Sequence, residues 1–420
     1  MIVAERMIDE IAFELGKDPV DVRLANLYAD DTGNLTPYFQ TVDDCVAGDL
    51  INELMDASRY RERRQDVAAF NATNTLLKKG IALTPVKFGI SFTTKHLNQA
   101  GALIHVYTDG SVHLNHGGTE MGQGLMVKVA QVVAHEFQID IDRIKVSSTR
   151  TDKVPNTSAT AASSGSDLNG MAALDAARTI KERLTAFAAE RYNVAPTAIQ
   201  FEGNEVAIGA TRLSFAELVK KAYLGRISLS ATGYYRTPTI DYDRATHRGH
   251  PFYYFAYGAA VSEVVIDTLT GETRVLQTDI LHDVGQSLNP AIDLGQVEGG
   301  FIQGMGWLTS EELVYDSKGV LRTHAPSTYK IPTAGDRPHS FNAQLWVSGR
   351  NKVQTIHRSK AVGEPPFMLA ISVFSAITHA VTAAAGGRVF PRLDAPATPE
   401  RVLMAIEDAR ARAASLEAVD

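Results

Sequence analysis

One stretch decides how the rest of this sequence is interpreted: Lys360-Ala361-Val362-Gly363-Glu364-Pro365-Pro366-Phe367. Gly363 has no Cβ, so the backbone there can approach a ligand closely. The prolines push Glu364 toward an extended conformation, and the apolar run over residues 367–378 predicts a buried helix. Burial against apolar side chains would raise the pKa of such a carboxylate by desolvation, and a raised pKa suits a general base that works near neutral pH. A structural glutamate at the positive end of the helix dipole is the alternative.

Length and composition limit the class of protein. The 420 residues suffice for two or three domains, and 45% hydrophobic with 21% charged residues is ordinary for a globular protein. A net charge of -7 argues against nucleic acid or an anionic membrane surface as a partner. We see no apolar run near the roughly 20 residues needed to cross a bilayer and no secretory leader, so we expect no membrane and a cytoplasmic location. The single cysteine, Cys45, excludes an internal disulfide or a cysteine-based metal site.

Helices are predicted before residue 80 and strands after it. Residues 1–16 already have helical apolar spacing, so we expect the chain to begin inside a domain. Asp18 and Pro19 predict the start of a second helix, and further helices are expected over 43–78. Strands are expected over 80–84, 87–92 and 102–107, with a hairpin turn at 108–111.

Two loops rich in small residues precede predicted helices. The first, His116-Gly117-Gly118-Thr119-Glu120-Met121-Gly122-Gln123-Gly124, runs into a helix over 125–137, so it is either an anion site at a helix N-terminus or a tight turn. The second, residues 154–167, lies between a strand (144–148) and a helix (168–187). Its hydroxyls suit phosphate or pterin edges, although a serine-rich linker has the same composition.

The later part of the chain predicts a hairpin over 256–266 and 273–281 and a helix over 291–307 that carries Gln296. His282 and Asp283 follow the second hairpin strand. Neighbouring side chains on a strand point to opposite faces, so we predict a structural histidine with satisfied hydrogen bonds rather than a metal-binding or catalytic pair.

Five motifs stand in the order in which one known family carries them: 117–124, 154–163, 167–170, 295–299 and 360–366. Together they resemble the C-terminal part of the molybdopterin-binding region of the xanthine dehydrogenase/oxidase family. The resemblance implies an α+β fold of mixed sheets with packed helices. It also implies a helical remainder of a first molybdenum-cofactor-binding domain (1–78), a second such domain (79–385) with an insertion near 190–246, and a C-terminal tail helix (386–420).

The resemblance further implies a molybdenum hydroxylase that converts hypoxanthine and xanthine to urate with oxygen from water. Glu364 matches the catalytic glutamate that deprotonates the molybdenum-bound hydroxyl. Electrons would pass through molybdopterin to [2Fe-2S] and FAD centres on other segments, and then to NAD. The residues that match cofactor contacts are Gly122, Gln123, Gly124, Ala161, Ala162, Ser163, Ser166, Gln296 and Gly363, and Ala162 lies close to the metal by that match.

Phe92 and Thr93 resemble the family's substrate-pocket pair, in which an aromatic ring packs against a planar purine and a hydroxyl serves a ring carbonyl. Aldehyde oxidases usually lack this pair and carry glycines where Ala161 and Ala162 stand. The resemblance therefore favours a xanthine-type substrate over an aldehyde.

The resemblance also implies partners, because the family's molybdenum domain begins well upstream of the motifs found here. We expect a polypeptide carrying its N-terminal half, an iron–sulfur/FAD subunit, and a dimer of such complexes. Two alternatives stay open: a hydroxylase of aldehydes or other N-heterocycles, and a non-catalytic fragment that only binds its N-terminal partner.

Overall fold

The chain folds into an α+β arrangement in which helices cover both faces of one sheet and one face of a second. The computed structural model describes residues 1–28, 33–154, 156–161 and 163–417. The predicted α+β class with mixed sheets and packed helices is confirmed.

The helices, in chain order, are α1 (Ile2–Glu14), α2 (Pro19–Ala25), α3 (Ala47–Ala57), α4 (Tyr60–Thr73), α5 (Leu125–Phe137), α6 (Gly165–Tyr192), α7 (Phe215–Leu224), α8 (Pro290–Thr309), α9 (Pro365–Met368), α10 (Ile371–Ala384) and α11 (Pro399–Glu417). The strands are β1 (Leu77–Ile90), β2 (Gln99–Val106), β3 (Val112–His116), β4 (Ile144–Val146), β5 (Ile199–Glu202), β6 (Glu205–Ile208), β7 (Thr211–Ser214), β8 (Ser230–Arg236), β9 (Asp241–Asp243), β10 (Arg248–His250), β11 (Tyr254–Asp267), β12 (Thr273–His282) and β13 (Ser340–Leu345).

The first sheet has the order β1-β11-β12-β13, with the last pair parallel and the others antiparallel. Side chains alternate along β1: Ile81 and Leu83 pack under α3 and α4, whereas Ala82 and Val86 face α8 and α10. The two strands predicted over 80–84 and 87–92 are one strand, β1. Pro85 is tolerated within it because β1 is an edge strand of this sheet.

The second helix begins where the sequence predicts, whereas the helices predicted over 43–78 begin at Ala47 and end at Thr73, before β1 starts. The Asp18 carboxylate accepts the Val20 N–H at 3.0 Å and caps α2, with Pro19 in its first turn. Buried side chains of α3, including Leu50 and Ile51, join Leu83 in the core on that face of the first sheet.

The second sheet has the order β4-β3-β2-β8 and packs against α5 and the long, alanine-rich α6. Residues 230–236, inside the segment predicted as an insertion, form β8 and pair with β2. The contact with α6 is very close: a Cβ at Gly233 would stand 2.0 Å from the Ala172 carbonyl oxygen. Strands β5, β6 and β7 form a small separate sheet beside it.

The apolar helix predicted after Glu364 is divided into α9 and α10 and continues to Ala384. Contrary to the sequence-based expectation, the segment Pro365–Ala384 has the length and apolarity of a membrane span. Most of it is nevertheless buried inside this fold against β1 and β11, as expected of a core helix.

Candidate functional site

A cavity of about 320 Å³ lies where the two sheet-and-helix units meet. Its wall combines the glycine-rich loop, the second small-residue loop with the start of α6, one face of α8, and residues 359–364. The predicted residues that line it are Gln123, Ala161, Ser163, Ser166, Gln296, Gly363 and Glu364. The fold therefore brings together residues from all five motifs, which are spread over residues 117–366.

The other predicted residues have different positions. Gly122 and Gly124 belong to the same loop and have φ values of +98° and +75°, which favour glycine, but they are not part of the cavity wall. Ala162, the predicted neighbour of the metal, lies outside the described residues.

Glu364 lies in the cavity wall, and a single residue, Ser163, forms hydrogen bonds with both its backbone and its side chain. The Ser163 hydroxyl donates to the Glu364 carboxylate at 2.9 Å and accepts the Glu364 N–H at 2.8 Å. The predicted extended conformation is wrong: φ is -96° and ψ is -37°, because Glu364 leads directly into α9. The predicted apolar wall is also not formed by the described residues, in which this side chain is exposed.

A side chain of the glycine-rich loop itself accepts hydrogen bonds from backbone N–H groups at the start of α5. The Glu120 carboxylate accepts the N–H groups of Gly122, Gly124 and Met126 at 2.9–3.1 Å. Partial burial would raise the pKa of Glu120, but these backbone hydrogen bonds hold it below its ordinary value. This arrangement agrees with the tight-turn interpretation, because the Glu120 carboxylate already occupies three of the N–H groups of the loop and the helix start.

Charged side chains that are otherwise buried also form part of the cavity wall, among them Lys128, Asp167 and Asp293. Lys128 of α5 pairs with Asp293 of α8, and the Ser287 hydroxyl also donates to Asp293. Lys360 pairs with Asp283 at 2.7 Å, and both side chains are 1% exposed. Asp167, in the first turn of α6, accepts a hydrogen bond from the Tyr254 phenol at 2.7 Å. Burial raises the pKa of Asp167 to about 7.

Comparison with known proteins identifies the family. The model of the molybdopterin cofactor-binding domain matches residues 53–338. The chain belongs to this family.

This molybdopterin cofactor-binding chain is 46% identical over 415 residues to xanthine dehydrogenase/oxidase of Felis catus, and 46% identical over 419 residues to xanthine dehydrogenase of Oryza sativa subsp. japonica. Each match covers 97% of this chain but only 30% and 29% of the relative, so the chain spans less than a third of their length. The expected resemblance to the xanthine dehydrogenase family is confirmed.

Solved structures of lower identity show the same fold. Quinoline 2-oxidoreductase from Pseudomonas putida 86 superposes with a TM-score of 0.83 at 24% identity, covering 97% of this chain and 52% of the other. Reconstituted CO dehydrogenase from Oligotropha carboxidovorans gives 0.82 at 22% identity, covering 97% and 51%.

The cavity of this molybdopterin cofactor-binding chain suits the cofactor for which its family is named. The Ser166 hydroxyl and the Gln296 amide line the cavity and make no hydrogen bond to the described residues. On α8, a Cβ at Gly295 or Gly299 would meet no atom within 4 Å, so this helix face is open. The unpaired hydroxyl and amide groups in the cavity wall fit the amide and hydroxyl edges of a pterin.

Phe92 and Thr93 do not line this cavity. They follow β1 in a turn held by Asn98, whose side chain accepts the Phe92 N–H at 2.7 Å and donates to the Phe92 carbonyl at 2.9 Å. Their assignment to a substrate pocket stays a prediction.

His282 and Asp283 behave as two separate residues. Asp283 pairs with Lys360. The buried His282 ring packs against Gly258, and a Cβ added to Gly258 would stand 2.3 Å from Nδ1 of His282. Neither ring nitrogen has a hydrogen-bond partner among the described residues, so the prediction of satisfied hydrogen bonds is wrong. Packing holds the buried ring instead.

Sequence reasoning missed the buried charges Lys128 and Asp293. A signal was present: Lys128 lies three residues after Leu125 and one before Val129, on the apolar stripe of α5. Asp293 lies one turn before Val297 on the buried face of α8. A charged residue at a core position of a helix predicts a buried partner.

We expect the folded state to lose stability as the pH falls from 6.5 to 4. Burial lowers the pKa of His116, His282 and His379 from 6.5 to about 4, so the unfolded chain binds these protons first. Each histidine contributes at most about 3 kcal/mol, which is fully present above pH 6.5 and lost on approaching pH 4. Asp167 opposes the trend, because its raised pKa makes the native state bind a proton first between pH 3.8 and about 7.

Urea unfolding at constant ionic strength across this range measures the effect. His379→Gln should flatten the pH dependence, whereas the exposed His96, replaced by Asn, should leave it unchanged. Equal stability at both ends of the range would contradict the prediction.

Proposed function

We propose that this chain is part of a xanthine dehydrogenase-type molybdenum hydroxylase and supplies its general base and one wall of its cofactor cavity. The observation that carries the proposal is the position of Glu364, exposed at the cavity and held by Ser163 through both its N–H and its carboxylate. A general base must combine a fixed position with access to the reacting proton, and this arrangement provides both.

Each wall residue has a role in this proposal. Gln123, Ala161, Ser163, Ser166 and Gln296 would hold the molybdopterin, with Gly363 allowing close approach of the backbone. The bound cofactor supplies a Lewis acid and a two-electron acceptor. Glu364 accepts a proton on its carboxylate, and Ser163 keeps that carboxylate directed toward the cavity. Proton transfer to Glu364 requires an ionised carboxylate. The buried Lys360 ammonium pairs with Asp283, and Glu364 makes no ion pair among the described residues.

The wider assignment rests on the resemblance to the xanthine dehydrogenases. The substrates are hypoxanthine and xanthine, the product is urate, and the added oxygen comes from water. Phe92 and Thr93 contact the purine. Electrons leave for [2Fe-2S] and FAD centres on other segments and then for NAD. The partners are a polypeptide with the N-terminal half of the molybdenum domain and an iron–sulfur/FAD subunit, in a dimer of complexes located in the cytoplasm.

A second candidate is a hydroxylase of another N-heterocycle or of an aldehyde. This candidate is retained because the chain shares its fold with quinoline 2-oxidoreductase and with aldehyde oxidoreductase from Desulfovibrio gigas, the latter at a TM-score of 0.76. Turnover of xanthine, a quinoline and an aldehyde, measured with wild type and with Phe92→Ala and Thr93→Ala, separates the two. Xanthine turnover that these substitutions leave unchanged would remove Phe92 and Thr93 from the substrate pocket.

The test of the proposed function is xanthine-dependent urate formation by this chain co-expressed with the polypeptide encoded directly upstream, together with molybdenum analysis. The chain expressed alone is the control. We expect molybdenum and urate in the co-expressed sample. Molybdenum without urate would support the second candidate. If neither is found, the chain is a non-catalytic relative that only binds its partner.

A further inference from the structure

A buried tyrosine connects the start of α6 to the segment that carries Glu364. Tyr254, the first residue of β11, is 3% exposed. Its phenol oxygen donates to the Asp167 carboxylate at 2.7 Å and accepts the Ala361 N–H at 2.9 Å. No other acceptor for the Ala361 N–H occurs among the described residues. This N–H is buried, so without the phenol it would lose its only hydrogen bond and remain shielded from water.

The same helix start holds the other end of this segment. Ser163, four residues before Asp167, bonds Glu364, three residues after Ala361. The backbone from Ala361 to Glu364 is therefore attached to the α6 start at both ends, through Asp167–Tyr254 at one end and through Ser163 at the other.

The surroundings keep this bridge in place. Asp167 is buried, and the Ile356 backbone and the Lys128 ammonium lie close enough to offset part of the rise in its pKa that burial causes. Burial mainly, and the nearby charge of Asp167 in addition, raise the pKa values of Tyr235 and Tyr253. Lys360, next to Ala361, donates its own N–H to Val284 at 2.7 Å, so the chain enters the segment from a fixed point.

We propose that Tyr254 is a positioning residue for Glu364: its phenol transmits the position of the α6 start to Ala361 and so orients the backbone that presents the carboxylate to the cavity. Tyr254 is not a catalytic residue, since it acts through Ala361. The expected effect on catalysis rests on the proposed function. The hydrogen-bonded bridge from Asp167 through Tyr254 to Ala361 is independent of that function.

The test compares Tyr254→Phe with Tyr257→Phe. Tyr257 lies on the same strand, is equally buried, and makes no hydrogen bond to Asp167 or Ala361 in the described part of the chain. The first measurement is amide hydrogen exchange of peptides spanning 359–364 in the full chain without added cofactor. We expect exchange at Ala361 to be about tenfold faster in Tyr254→Phe and unchanged in Tyr257→Phe, because only the former loses the acceptor.

The second measurement uses the molybdenum-loaded complex. Tyr254→Phe should lower kcat about tenfold while the KM for xanthine and the molybdenum content stay within about twofold of wild type, since only the base is displaced. Unchanged kcat in Tyr254→Phe would overturn the positioning role. A wild-type complex that contains molybdenum but has no hydroxylase activity would instead refute the proposed function, and the exchange data would still decide whether the bridge exists.

Wild type provides a check that does not depend on the variant folding. If the bridge exists, the Ala361 amide should exchange as slowly as the amides of β11. Rapid exchange at Ala361 in the folded wild-type chain would overturn the proposal.

Discussion

Replacing Glu364 with glutamine is expected to remove nearly all turnover while leaving the molybdenum content unchanged. The amide keeps the size of the side chain and can still hydrogen-bond to the Ser163 hydroxyl, so the cavity wall should be preserved. It cannot accept a proton, and a general base typically contributes about 10²- to 10⁴-fold to the rate. We therefore expect kcat to fall by at least about 10²-fold, measured as urate formation per molybdenum.

The control is Glu272→Gln, in an exposed glutamate that pairs with Arg274 at the turn before β12. It should retain wild-type turnover. Turnover retained in Glu364→Gln at normal molybdenum loading would show that another group takes the proton, and would remove the observation on which the proposed function rests.

Replacing Lys360 with methionine is expected to destabilise the fold by about 3–5 kcal/mol, the usual cost of removing one partner from a buried ion pair. Methionine keeps the length of the side chain and leaves the Asp283 carboxylate buried without its cation. Asp44, 3.7 Å from the lysine nitrogen, loses the same partner. Equilibrium unfolding in urea, monitored by circular dichroism, measures the loss.

The matched control is Arg274→Met, which breaks an ion pair whose two side chains are 64% and 56% exposed. Solvent screening limits such a pair to about 0–1 kcal/mol. If the two substitutions cost the same, the Lys360–Asp283 pair does not stabilise the segment before Glu364, and hydrogen bonds and packing alone would have to hold it.

Local sequence patterns predicted much of the secondary structure. The helix over 125–137 was predicted at the bounds that the structure gives to α5, because glycines precede it and its apolar spacing is regular. The cap of α2 was predicted for a similar reason: Asp18 and Pro19 act on the next two or three residues only. The long strand β1 was divided in two, because Pro85 is a strand breaker except at a sheet edge, and edge position depends on the partner strands.

The candidate site was predicted in part. Residues from separate motifs, among them Gln123, Ser163, Gln296 and Glu364, were chosen by resemblance, and they line one cavity. The conformation of Glu364 was predicted wrongly. A residue before proline prefers an extended backbone, but Glu364 adopts helical backbone angles because α9 begins at the next residue. The role of Glu120, whose carboxylate accepts backbone N–H groups at the start of α5, was missed. It depends on the loop folding so that Glu120 lies beside the first turn of that helix.

The sequence by itself determined the family, the α+β class, part of the order of helices and strands, and the residue types available for chemistry. These follow from short-range patterns and from motifs in a constant order. Only the tertiary structure decided which charges are buried and which groups they meet. Lys128 and Asp293, Lys360 and Asp283, and Tyr254 with Asp167 and Ala361 are far apart in the sequence. Their pairing depends on how the two sheets and their helices pack, and burial in that packing makes each unpaired polar group costly.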